Sequence, residues 1–160
     1  MTTDTENRAG LYDELYRQLD ALTKDERQPL PNSANMSALL FGALRDVNWA
    51  GFYWFDGTEL VLGAFQGKPA CIRIALGRGV CGTAAQTLES QLVPDVHAFP
   101  GHIACDAASR SELVIPLVRA GRLLGVLDVD SPVPNRFDHT DLEGMSRLCE
   151  LLLARCQWTR

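Results

Sequence analysis

"NWAGFYWFDGTELVLGAFQGKPA", residues 48–70, decides the fold. Two runs rich in aromatic and apolar residues flank Asp56-Gly57, a dipeptide that favours the tight turn of a β-hairpin. On an extended first run Trp49, Gly51, Tyr53 and Phe55 share one face, because side chains alternate with period two. Gly51 then leaves an expected gap between two aromatic walls, wide enough for a ligand group. Core packing is the competing reading, above all for Phe55. A second hairpin follows downstream, with "ELVIPLV" (112–118), the turn "RAGR" and "LLGVLDVD" (123–130). Two such hairpins imply a largely antiparallel sheet.

Outward from these, Leu11, Leu15, Leu19 and Leu22 recur at helical spacing and mark an amphipathic helix over about 8–24. "KDERQPLPNSAN" breaks it with two prolines. Met36, Leu39, Leu40, Ala43, Leu44 and Val47 then trace a second helix. "CIRIAL" (71–76) reads as a third strand that Cys71 opens, "GRGVCGTAAQTL" as a glycine-rich turn and short helix, and "QLVPDV" as a short strand. "FDHTDLEGMSRLCELLLARC" is a closing helix, with Thr140 and Glu143 spaced as a capping box. The expected fold class is α+β, an antiparallel sheet with helices packed on one face. One domain is expected over 1–160, with the helix at about 8–24 preceding a core at about 32–157.

Net charge of −5 without a basic cluster argues against nucleic acid. No apolar run approaches the ~20 residues of a membrane span. The polar, acidic start "MTTDTENRAG" is unlike a signal peptide, so a cytoplasmic, reducing location is expected. There, five cysteines are not expected to form a structural disulfide framework.

Cys149 and Cys156 fall on the apolar stripe of the last helix and read as small buried hydrophobes. For Cys71, Cys81 and Cys105 the residues alone leave structural, metal-binding and redox readings open. Zinc is disfavoured by spacing: Cys71 and Cys81 are ten apart, Cys81 and Cys105 twenty-four, and only His102 and Cys105 make a close pair. No metal ligand is therefore assigned. A redox thiol must be a partly exposed thiolate with positive potential or donors nearby. Cys105 follows His102 in the long segment "VPDVHAFPGHIACDAASRSELVIPL" (93–117), and "DAASRSEL" after it reads as a short helical turn whose amides face the sulfur. Asp106 opposes that activation.

Asp128 and Asp130 share a face at the end of an apolar strand and call for a cation: a Lys or Arg, a metal, or a substrate ammonium. Glu112 starts the paired strand. A three-residue loop at 120–122 puts it opposite Asp130, whereas a two-residue turn puts it on the other face. Solvated acids at a strand end are the plainer reading of all three.

At "CIRIALGRGVCGTAAQT", "VPDVHAFPGHIACDAASRSELVIPL" and "GVLDVDSP" the chain resembles the free methionine-(R)-sulfoxide reductases, enzymes built on a GAF domain. That resemblance implies a GAF-like six-stranded antiparallel sheet flanked by helices, and a homodimer. It implies reduction of free L-methionine-(R)-sulfoxide by Cys105 as catalytic cysteine, with Cys71 resolving and Cys81 able to exchange into the disulfide. Glu112, Asp128 and Asp130 match the acidic substrate-binding and catalytic positions, and Trp49 and Tyr53 the aromatic positions that hold the methyl-sulfoxide end. No bound cofactor is implied; an external dithiol, thioredoxin, regenerates the enzyme in a role against oxidative stress.

Two rivals stand beside this reading. A non-catalytic GAF sensor for a cyclic nucleotide conflicts with the acidic face of Asp128 and Asp130, and an output domain would be expected with it. A cysteine redox sensor would use the same disulfide for signalling, and would respond to peroxide without turning over a sulfoxide.

Overall fold

A computed structural model of the chain describes residues 4–102, 105 and 107–159. The elements run α1 (Asp4–Thr23), α2 (Pro29–Ala43), β1 (Trp49–Phe55), β2 (Glu59–Gly67), β3 (Arg73–Ala75), α3 (Gly79–Thr87), β4 (Gln91–Val93), β5 (Ser111–Arg119), β6 (Arg122–Ser131) and α4 (His139–Arg155). The strands form one sheet in the order β3-β2-β1-β6-β5-β4, and each neighbouring pair is antiparallel. No helix among the described residues is long and apolar enough to cross a membrane.

Strand alternation gives the sheet two apolar faces. Ala50, Phe52, Leu113, Ile115, Leu127 and Val129 project to one side and join α1, α2 and α4 in the larger core. Trp49, Tyr53, Val114 and Val126 project to the other, where they meet Val80, Cys81, Ala84 and Ala85 of α3. The expectation of helices on one face is corrected accordingly: three lie on one face and α3 covers the other. The reason is that both hairpins are apolar on both sides at their centres, so each face needs a cover.

Local signals explain where the elements begin and end. The α1–α2 break lies at residues 24–28, and both prolines fall in the first turn of α2, where a missing N–H is not needed. α2 stops at Ala43 rather than running through Val47, with Asp46 left-handed at φ 56°. The capping box of α4 is Asp138 and Asp141, not Thr140 and Glu143. The Asp138 side chain accepts from the amides of Thr140 and Asp141, and Asp141 accepts from the amide of Asp138. Asp141 is fully buried, and Arg8, Arg136 and the Tyr12 hydroxyl also bind it. That network ties α1 to the start of α4.

Candidate functional site

The site lies on the α3 face, and strand register assembles it. Trp49 pairs with Asp130, and Asp130 in turn with Glu112; Gly51 pairs with Asp128 and Asp128 with Val114. Residues that pair directly share a face, so all three acids point towards α3. Glu112 reaches this face by a route the turn alone does not supply. Arg119 pairs with Arg122 across a two-residue turn, Ala120-Gly121, and a bulge between Leu117 and Val118 shifts the remaining pairs by one residue. Without the bulge Glu112 would lie opposite Val129 and face the large core. Two-residue turn and opposition to Asp130 therefore coexist.

A cavity of about 50 Å³ lies between this face and the chain that crosses it, lined by Cys81, Cys105, Glu112, Asp128 and Asp130 among others. Trp49 and Tyr53 form its aromatic wall, with ring centroids 5.9 Å apart. The gap expected over Gly51 is filled. A Cβ there would stand 2.3 Å from Phe65 Cβ and 2.8 Å from the Trp49 indole, and Phe65 stacks on Trp49 at 5.2 Å. Gly51 thus makes room for Phe65, not for a ligand. Tyr53 carries a second duty: its hydroxyl donates to the Cys71 carbonyl at 2.9 Å. Trp49 similarly donates from Nε1 to the Lys68 carbonyl at 3.1 Å, so both aromatics hold the segment that carries Cys71.

Cys71 and Cys105 are joined in a disulfide, with Cα atoms 5.7 Å apart. Cys71 sits in the segment before β3 rather than opening the strand, and Cys105 is exposed. Ala107 and Ala108 form a turn, so no helix starts after Cys105 among the described residues; Asp106 lies outside them. Cys81 is not in a turn but in the first turn of α3, 5% exposed, and its thiol donates to Glu112 Oε1 at 3.8 Å. Cys149 and Cys156 are buried in the large core, as their stripe suggested.

Electrostatics follow from this crowding. Glu112 and Asp128 are 7% and 6% exposed, and Asp128 Oδ1 has no hydrogen-bond partner among the described residues. Burial first, and then the charge of Asp130, pushes the Glu112 carboxyl up to about 8. Asp128 rises well above the usual carboxylate range through burial and then the charge of Glu112. The Cys81 thiol rises for the same reasons, burial first and then Asp128 and Glu112. The site therefore stores protons at neutral pH and would give them up, or exchange them, for a cation. His102 lines the cavity too, and burial followed by the charge of His97 lowers its pKa.

All the expected site residues except Cys71 line this one cavity, and Cys71 joins it through the disulfide. Arg78, at the mouth of α3, and Gly79 and Val80, in its first turn, line it as well and were not singled out from the sequence. The signal for them is "GRGVCGT", where a glycine with φ 62° starts a helix whose first amides lack intrahelical partners, in a turn that lines the cavity.

Residues 34–153 match the GAF domain family. The chain is 52% identical over 142 residues to the free methionine-R-sulfoxide reductase of Escherichia coli (strain K12), covering 89% of this chain and 86% of that protein. It is 42% identical over 158 residues to the free methionine-R-sulfoxide reductase of Saccharomyces cerevisiae, covering 94% and 88%. Among solved structures, the free methionine-R-sulfoxide reductase from Neisseria meningitidis in complex with its substrate superposes with a TM-score of 0.89. That pair shares 43% identity over 97% of this chain and 92% of the other.

Proposed function

Because the chain belongs to the GAF-domain family of free methionine-R-sulfoxide reductases, we propose that it reduces free L-methionine-(R)-sulfoxide to L-methionine. The observation that carries this reading is the Cys71–Cys105 disulfide at the edge of an acid-lined cavity. In the reduced enzyme the Cys105 thiolate attacks the sulfoxide sulfur, and a protonated acid delivers a proton to the oxygen. Glu112 suits that task, since its carboxyl holds a proton up to about pH 8. The S–O bond to methionine breaks as the hydroxyl passes to the Cys105 sulfur, the bond between the two sulfurs breaks with it, and methionine leaves with Cys105 oxidised to a sulfenic acid. The Cys71 thiol then attacks that sulfur and expels water, which gives the disulfide. An external dithiol restores both thiols through a mixed disulfide. Exposure of Cys105 suits such an exchange, and thioredoxin is the dithiol of choice.

Substrate selection follows from charge. Asp128 and Asp130 receive the α-ammonium, and first-turn amides of α3 receive the α-carboxylate. An internal residue of a polypeptide lacks both charges and would leave the buried acids unpaired. Cys81 differs from the other two cysteines of the relay: it is buried and protonated, so it exchanges into the disulfide only as a secondary route. The same reading assigns a homodimer working in the cytoplasm with no bound cofactor, and light scattering on the purified chain checks the assembly.

The deciding experiment is a thioredoxin-driven assay with free methionine-R-sulfoxide, the S epimer and a peptidyl sulfoxide. Turnover of the free R epimer is expected, abolished by Cys105→Ser. Full activity in Cys105→Ser sinks the mechanism, and equal turnover of the peptide sinks the role given to the acids. Peroxide sensitivity without any sulfoxide turnover would favour the redox sensor instead.

A further inference from the structure

Three groups in this cavity make a donor set that includes a thiol, which an amine substrate does not need. Cys81 Sγ and carboxylate oxygens of Glu112 and Asp128 all lie within 4.8 Å of one another. Glu112 Oε1 stands 3.8 Å from Cys81 Sγ. Around a tetrahedral ion, Zn–S of about 2.3 Å and Zn–O of about 2.1 Å place sulfur and oxygen about 3.6 Å apart. That edge of the polyhedron already exists. The third corner is offered by Asp128, whose Oδ1 is buried and without a hydrogen-bond partner among the described residues. A buried carboxylate oxygen without a hydrogen-bond partner keeps lone pairs available to a cation. The adjoining cavity of about 50 Å³ has room for a water as fourth ligand.

We propose that Cys81, Glu112 and Asp128 form a binding site for a thiophilic divalent cation, Zn2+ by donor type, and that the ion occupies the place of the substrate ammonium. The thiolate selects zinc-like ions over Mg2+ and Ca2+, which prefer all-oxygen shells. Binding displaces the protons now held by the thiol and the acids, so the ion and the protonated acids exclude each other. The site uses neither sulfur of the Cys71–Cys105 disulfide. The oxidised chain therefore binds the ion without any contribution from the redox pair, which separates this site from ordinary poisoning of a catalytic thiol. Overlap with the substrate rests on the function proposed above; the site itself does not.

Calorimetric titration of Zn2+ alone into the full chain with its disulfide intact tests the site without turnover. One ion per chain at micromolar affinity is expected, weakened at least tenfold by Cys81→Ser and by Asp128→Asn. Cd2+ is expected to show a thiolate charge-transfer absorption in the wild type and in the Cys149→Ala, Cys156→Ala double variant, and none in Cys81→Ser. Affinity no better than millimolar overturns the proposal, as does a Cd2+ absorption that survives Cys81→Ser. Should Cys81→Ser melt far below the wild type, Asp128→Asn carries the titration arm, and unchanged affinity there overturns the site. In turnover with a phosphine reductant, Zn2+ is expected to raise KM at least tenfold at fixed kcat. An ion that binds but leaves KM unchanged overturns the shared occupancy.

Discussion

Glu112 carries a proton that its surroundings keep in place, and that proton couples stability to pH. Its carboxyl titrates near 8 in the folded chain against 4.5 unperturbed. Between these values the folded state binds more protons than the unfolded one, so stability falls as pH rises, by up to about 1.4 kcal/mol per pH unit. The melting temperature is expected to drop from pH 5.5 to pH 8.5, and Glu112→Gln is expected to flatten that slope in a calorimetric series. Tyr53 offers a second handle at this scale. Tyr53→Phe removes the bond to the Cys71 carbonyl, worth about 1 kcal/mol. Slower formation of the Cys71–Cys105 disulfide after a pulse of oxidant is expected, with the initial sulfenic acid unaffected; dimedone trapping separates the two. The two residues differ in how far the sequence announces them. The pairing of Cys105 with Cys71 was legible only through the resemblance, whose motif around Cys105 is local and distinctive. The bond from Tyr53 was not, because a hydroxyl partner eighteen residues away leaves no mark on either segment.

Among the elements, the β5–β6 hairpin shows best what sequence can and cannot say. Its strands, their apolar alternation and the turn were readable. Its register was not, because it depends on a bulge at Leu117/Val118; Pro116 and Gly125 flank that bulge but do not say which way the pairing shifts. One extra residue, Leu124, thus decides whether Glu112 faces acids or the large core. α4 was misread at its start for a related reason: Asp141 is fixed by Arg8 and Tyr12, which lie more than 120 residues away. Close strand approach gives a direct test at this level. A Cβ at Gly125 would stand 2.2 Å from the Tyr53 carbonyl and 2.8 Å from the Trp54 ring. Gly125→Ala is expected to lose about 1–3 kcal/mol in urea unfolding, through strain between β1 and β6. Its KM is expected to rise too, since those strands carry Tyr53 and Asp128.

Across the whole molecule, the disulfide spans 34 residues and joins the segment before β3 to the segment before β5. By loop entropy, closing that span stabilises the folded chain by about 4 kcal/mol. Reduction is accordingly expected to lower the melting temperature by roughly 8–16 °C, and Cys71→Ser to abolish the difference between oxidised and reduced samples. The sheet order was readable only as far as sequential hairpins, since β1 meets β6 across 66 residues of intervening sequence and no local pattern encodes that pairing. The crossing segment also has a consequence for lifetime. A protease that cuts only the unfolded chain would find it several hundredfold less often when the bond is closed. On the proposed cycle, each round of chemistry would leave the molecule in its durable form, and each round of regeneration would return it to the perishable one. When electrons run short, that cycle would make the chains that have just worked the ones that persist.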